Sequence, residues 1–208
     1  MSQLYCGAAR RCITPPPELL PRLIGLKQYR FAGVLDDIFV RAAAFTAGER
    51  TILLLGFDMT TAPRSPEILS QITEKTGVPE DYIFFYAIHT HAVPFNTIDM
   101  EQKERQSADT LLASEAYTQY LWHEALGAAE EAMASRQAAR MGYAFGESYV
   151  NVFRLQDYLY TDDEGEPFTV CNLGADFSRP VDRRLFAMRV EAMTSEPILF
   201  LVNYPMHN

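Results

Sequence analysis

Residues 51–89 constrain this chain more than any other stretch. An apolar run, TILLLGFD (51–58), leads through SPEILSQITEKTG to a second apolar run, DYIFFYAIH (81–89). The middle segment carries the marks of one short helix: Ser65 as N-cap, Pro66 at the first helical position and Gly77 as terminator. Strand, helix and strand at this spacing form a βαβ unit, whose crossover makes the two strands parallel. Their carboxyl ends then fall at one edge of the sheet, where open α/β sheets bind ligands.

Two further segments converge on that edge. IFVRAAAFT (38–46) precedes the first strand across a short Ala-Gly-Glu-Arg turn, which predicts an antiparallel hairpin. Its beginning, Asp36–Asp37, is therefore expected at the same edge as Asp58. The second parallel strand runs into AIHTHAVP, which holds two of the four histidines. Residues i and i+2 of an extended chain share a face, so His89 and His91 are expected side by side, roughly 6–7 Å apart at their backbones. Two such imidazoles can reach one metal ion, or one can hold metal while the other faces substrate. Polar capping of a strand end is the plainer alternative. Asp58 fits either a loop cap or a support for a metal site, and Asp36 is its companion candidate.

The rest of the chain adds a frame. Residues 3–13 read as a strand closed by the prolines at 15–17. Residues 95–108 read as a long polar loop of the kind that forms lids or substrate walls. A helix over about 109–134 presents Tyr117, Leu121, Ala125, Ala128 and Ala132 on its apolar face. His123 lies on the other face, as a surface histidine, and Trp122 reads as a packing residue. Residues 137–155 and 167–173 read as strands around an acidic turn, TDDEGEP (161–167). Two more strands are expected at 185–193 and 197–204, the last apolar enough for burial on both faces. His207 follows it. The fold class expected is α/β: a mixed β-sheet with a βαβ unit and flanking helices, and a metal site at the carboxyl edge of the strands.

Bulk properties narrow the function. At 208 residues the chain can build one sizeable core, or one domain and part of another. Eighteen basic against 27 acidic residues give a net charge of -9, which repels a phosphate backbone and argues against nucleic-acid partners. No apolar run approaches the ~20 residues of a transmembrane helix. The start, MSQLYCGAARRC, has no apolar signal-peptide core, so a cytoplasmic location is expected. Cys6 and Cys12 would sit about 20 Å apart along one extended strand, too far to bridge. Cys171 stands alone, no C-x-x-C occurs, and all three are expected as buried thiols.

Several segments, in this order, resemble the neutral/alkaline (non-lysosomal) ceramidase family. GAARRCITPPP is similar to the family's Gly-x-x-x-x-Asp-Ile-Thr-Pro-Pro opening, with Cys12 in the acidic position. GVLDDIFVRAAAF resembles Gly-Val-His-Asp-Pro-Leu-x-x-Arg-Ala, with Leu35 in place of the histidine. LLLGFDM is similar to the family's apolar strand ending in Asp, and AIHTHAVP to Thr-His-Thr-His-Ser-Gly-Pro. VNVFR (150–154) resembles an Asn-Arg signature. PVDRRLFAMRVE resembles Pro-Val-Asp-Pro-x-x-x-x-Leu-Arg-Phe, and NYPMHN resembles Asn-Tyr-x-x-His-Pro.

The resemblance implies a zinc amidohydrolase that cleaves an N-acyl, ceramide-like bond by metal-activated water, in sphingolipid metabolism. His89 and His207 match metal-ligand positions for Zn²⁺. His91 matches the second histidine of the pair, lining the pocket, and Arg154 the arginine that faces the substrate carbonyl. The family's remaining ligands, a Glu and a Tyr, lie further along than residue 208. Residues 1–208 are therefore expected to be the N-terminal part of a ceramidase-like catalytic domain, inactive alone, and the partner a small N-acylated or lipid-like substrate. Two other readings stand beside it. One is a metallohydrolase of another small N-acyl or ester substrate; the other is a metal-free binding or scaffold module that kept the fold. A serine hydrolase is not supported, because no G-x-S-x-G is present.

Overall fold

Arg50–Phe57 (β3), Pro66–Thr76 (α1) and Ile83–Ala87 (β4) form the expected βαβ unit, with β3 and β4 parallel from Leu53↔Ile83 to Phe57↔Ala87. The computed structural model describes residues 2–98, 100 and 103–207. The predicted terminators of α1 hold in detail. Ser65 Oγ accepts from the Ile68 amide at 3.4 Å, and Gly77 takes φ 71° while its amide donates to the Thr73 carbonyl. Only glycine adopts that left-handed backbone without a Cβ penalty.

The chain divides into two compact units, Met1–Met141 with Val190–Leu199, and Gly142–Arg189 with Phe200–His207. In the first, Phe39–Ala47 (β2) pairs antiparallel with β3 and with Leu4–Cys12 (β1). The sheet is seven-stranded in the order β4-β3-β2-β1-β5-β8-β9, where β5 is Gln137–Glu147, β8 Arg184–Ala192 and β9 Pro197–Asn203. Ala108–Ala134 (α2) crosses β1 and β2, and α1 packs against it. Val40, Ala42 and Ala44 of β2 alternate with outward residues, as do Leu53, Leu55 and Phe57 of β3, and face the helices. The predicted apolar face of α2, from Tyr117 to Ala132, is buried against them. Its alanines allow the close approach: a Cβ on Gly7 of β1 would collide with the Ala132 carbonyl. Trp122 packs as expected and donates its indole N–H to the Pro63 carbonyl at 2.8 Å.

Several expectations need correction. The strand read as 137–155 is two, because residues 148–152 leave the sheet before Phe153–Thr161 (β6) begins. β6 pairs antiparallel with Pro167–Asp176 (β7) as a separate hairpin around the acidic turn, where Gly165 supplies φ 87°. β9 was expected to be buried on both faces, yet it is an edge strand, with Phe200 and Val202 exposed. Apolar runs signal hydrophobicity, not sheet position, so the sequence pattern misplaced it. Only Cys6 is a buried thiol; Cys12 and Cys171 are exposed. Of the 95–108 loop, residues 99, 101 and 102 lie outside the described residues. Among the rest, Asn96 is fully buried, its side-chain oxygen accepting from the Ile98 amide.

Candidate functional site

The parallel ladder ends where the Ile88 amide donates to the Phe57 carbonyl at 3.0 Å. The next residue, His89, turns into the left-handed region at φ 63°. His89 and His91 therefore do not lie on one face of an extended strand, as the i, i+2 argument predicts. A tight turn brings them together instead, with ring centroids 4.8 Å apart and planes at 80°. Histidine is among the non-glycine residues enriched at positive φ, but the conformation still costs on the order of 1–3 kcal/mol. Strain of that kind persists only where neighbours over-determine it.

The neighbours are visible. Nδ1 of His89 lies 2.7 Å from the Thr60 carbonyl oxygen. A carbonyl only accepts, so Nδ1 carries a proton, which in the neutral ring leaves the lone pair on Nε2. Thr60 Oγ1 donates to the Thr90 carbonyl at 2.9 Å, and the Tyr29 hydroxyl donates to the His91 carbonyl at 2.9 Å. The segment is thus pinned at three consecutive residues.

Asp58 reaches the same edge, as expected, but serves as an anchor for this loop. Its carboxylate accepts from the Phe39 amide at 3.0 Å and from the Arg41 guanidinium at 2.5 Å. Arg10 and Arg41 lie over the Phe39 ring, 4.5 and 5.5 Å from its centroid. Burial pushes the nearby Tyr86 phenol up, with Arg41 opposing the shift and Asp58 adding to it. Asp36 is exposed, whereas Asp37 accepts from the Thr14 hydroxyl at 2.9 Å. His123 sits on the solvent side of α2, its ring 74% exposed.

In the second unit, His207 and Arg154 line one cleft of about 390 Å³. Val150, Asn151, Val152, Phe153, Val181, Pro205 and Met206 complete its mostly apolar wall. Asn151, only 8% exposed, holds the three segments of the wall together. Its amide nitrogen Nδ2 donates to the Asp182 carbonyl at 2.7 Å and the Pro205 carbonyl at 2.9 Å, while Arg183 donates to its Oδ1 at 3.4 Å. Its backbone N–H donates to the Tyr204 hydroxyl, which donates in turn to the Ser148 carbonyl at 2.8 Å. The Arg184 side chain, with its backbone N–H, holds the Asp182 carboxyl down to about 2.

No family model matches the sequence, and no curated protein matches it. Solved structures that match along 100% of this chain include a ceramidase complexed with C2, TM-score 0.67, and the neutral ceramidase from Pseudomonas aeruginosa, TM-score 0.66. This chain shares the fold of part of a neutral ceramidase. Identity is 16% to each, and the match covers 32% of each of those chains, so this chain spans about a third of their length. No helix among the described residues is long and apolar enough to cross a membrane.

In each unit taken by itself, the residues that hydrogen-bond around the candidate side chains carried a weaker sequence signal than the candidates did. Thr60, Tyr29, Asn151 and Tyr204 escaped sequence reading. Asn151 and Tyr204 do fall inside the segments that carry the resemblance, VNVFR and NYPMHN. Thr60 and Tyr29 had no such signal, because one acts through its carbonyl and the other lies in the irregular stretch between β1 and β2.

Proposed function

We propose that the chain is a zinc-dependent amidohydrolase, or its N-terminal part, that cleaves the N-acyl bond of a ceramide-like substrate by metal-activated water. The observation that carries this reading is the His89–Thr90–His91 turn, in which one hydrogen bond to the His89 ring and two to the following carbonyls hold a strained backbone that brings the two ring centroids within 4.8 Å. The fold likeness to ceramidases supports the substrate class.

The donor set suits the ion. Zn²⁺ takes neutral imidazole nitrogens, and a ligating histidine typically donates its other N–H to a carbonyl or carboxylate, as His89 does to Thr60. We assign His89 and His207 as metal ligands, following AIHTHAVP and NYPMHN, and His91 as the second histidine of its pair. Zn²⁺, when bound, supplies a Lewis acid for the amide carbonyl and brings the pKa of water toward ~7. The chain's own residues do the rest. His91 is assigned to the substrate side of the pair, where an imidazole can accept and return a proton. Arg154 is assigned to the amide oxygen, where a fixed guanidinium stabilises charge that develops in the transition state. The apolar wall beside Arg154, from Val150 to Phe153 with Val181 and Met206, suits an alkyl chain.

The test is elemental analysis for zinc together with hydrolysis of a panel of N-acyl substrates, on the product of the full reading frame. His89→Ala and His207→Ala should each abolish tight zinc binding and turnover, and His123→Ala should change neither. A His89→Ala protein that keeps both its zinc and its turnover would overturn the assignment. So would a wild-type protein that binds no zinc.

A further inference from the structure

We propose that Thr60 is a positioning residue that fixes the tautomer and the ring plane of His89. The inference rests on the reading of His89 as a metal ligand, and it goes beyond that reading by naming what selects the ligating nitrogen.

The argument begins with the loop that follows β3. Asp58 is held by the Phe39 amide and the Arg41 guanidinium, and its own amide donates to the Phe39 carbonyl at 3.0 Å. Met59, the next residue, is fully buried. Thr60 therefore leaves a fixed platform, and its carbonyl points from a fixed place. That carbonyl meets Nδ1 of His89 at 2.7 Å, within the range of a well-formed hydrogen bond. Of the two neutral tautomers only Nδ1–H satisfies it, and that tautomer places the lone pair on Nε2.

The hydroxyl of the same residue completes the grip. Thr60 Oγ1 donates to the Thr90 carbonyl, the peptide directly after His89. One residue thus holds the ring with its main chain and the following peptide with its side chain. Holding both ends keeps the φ of 63° at His89 from relaxing toward the extended conformation of β4. Without the hydroxyl bond, the turn can relax, the carbonyl loses its alignment with Nδ1, and the imidazole is free to adopt the Nε2–H form that isolated histidine prefers in water. That form presents the wrong nitrogen.

The tautomer can be read directly in the metal-free protein. Long-range ¹H–¹⁵N correlation spectra of the chain labelled at histidine, at about pH 8 where neutral imidazole predominates, separate the two forms. His89→Gln assigns its signals. His89 should be mainly Nδ1–H in the wild type and should move toward Nε2–H in Thr60→Val. Zinc affinity, measured by competition with a chromophoric chelator, should fall roughly 10- to 100-fold in Thr60→Val, the range for partners behind a ligand. Thr60→Ser, which keeps the hydroxyl, should restore both the spectrum and the affinity. A mainly Nε2–H signal for wild-type His89 would overturn the proposal, as would a Thr60→Val protein with wild-type spectrum and affinity. A full reading-frame product that is folded and Nδ1–H at His89 yet takes up no zinc would instead sink the metal reading and leave the positioning intact.

Discussion

The hydroxyl of Tyr29 donates to the carbonyl of His91 at 2.9 Å, joining the irregular stretch after β1 to the turn after β4. Tyr29 also stacks edge-on against Phe31, 5.6 Å between centroids, and lies close to Gly25. The ring, 44% exposed, is thus held on one side and the hydroxyl aimed. Tyr29→Phe keeps the packing and removes one hydrogen bond, which contributes about 0.5–1.5 kcal/mol net. The expected result is a loss of stability no greater than that, with chemical-shift changes centred on His91 and its neighbours. Urea unfolding and a backbone amide spectrum measure both. Shift changes confined to residues 25–31, with none at His91, would contradict the role.

Asp58 and Asp36 separate anchoring from mere proximity. The Asp58 carboxylate is 13% exposed and satisfies a backbone N–H as well as a guanidinium. Asp58→Ala leaves that N–H unpaired, at a cost of about 1–3 kcal/mol, and loosens the base of the Thr60 loop. Asp36 is exposed. Its replacement by alanine should change stability by no more than about 0.5 kcal/mol. Denaturation of the two variants side by side decides the matter; equal effects would mean that Asp58 is not the anchor.

Much of the fold was legible because each local signal agreed with its neighbours. Ser65, Pro66 and Gly77 bound α1 correctly, and the crossover rule then dictated that β3 and β4 run parallel. The stripe from Tyr117 to Ala132 placed α2, and His123 fell on its exposed side as the pattern required. The failures have separate causes. Period-2 reasoning put His89 and His91 on one strand face, but His89 turns through positive φ, which the letters A-I-H-T-H do not announce. The apolar run of β9 was mistaken for a central strand, because hydrophobicity counts buried area and not neighbours. The break at 148–152 was missed since Ser-Tyr-Val-Asn-Val has no proline or glycine to mark it, although Asn151 is the residue that needs the break.

Cysteine chemistry gives a prediction independent of the site. Cys6 is fully buried, and burial pushes its thiol up from the ordinary 9.0 to about 11, while Cys12 and Cys171 are exposed. A thiol-reactive chromophore should label Cys12 and Cys171 promptly and Cys6 only as fast as the chain opens. The same shift makes stability depend on pH. The folded chain keeps the Cys6 proton where the unfolded chain releases it, so stability falls as pH rises from 9.0 toward about 11. Buried tyrosines add a similar trend, so the Cys6 share is the difference between wild type and Cys6→Ala. Unfolding curves for the two proteins across that window should converge as pH rises; parallel curves would show that Cys6 is not held neutral.

Asn151 offers the sharpest test of how His207 is placed. Its side chain bridges the Asp182 and Pro205 carbonyls, and its backbone N–H reaches the Tyr204 hydroxyl. His207 stands two residues beyond Pro205, in the wall of the same cleft as Arg154. Asn151→Ala removes both side-chain donors and leaves two carbonyls to find water in a half-closed site, which costs about 1–3 kcal/mol. Asn151→Asp keeps the shape but replaces the donating amide with an acceptor that faces both carbonyls, so it should be at least as damaging at neutral pH. Arg183, which donates to Oδ1 at 3.4 Å, softens this only on the far side of the group. Both variants should unfold at lower urea concentration than wild type, and the imidazole signals of His207 should broaden or shift while those of His123 stay fixed. An Asn151→Asp protein as stable as wild type, with His207 unmoved, would show that the Pro205 segment is held by something other than this side chain.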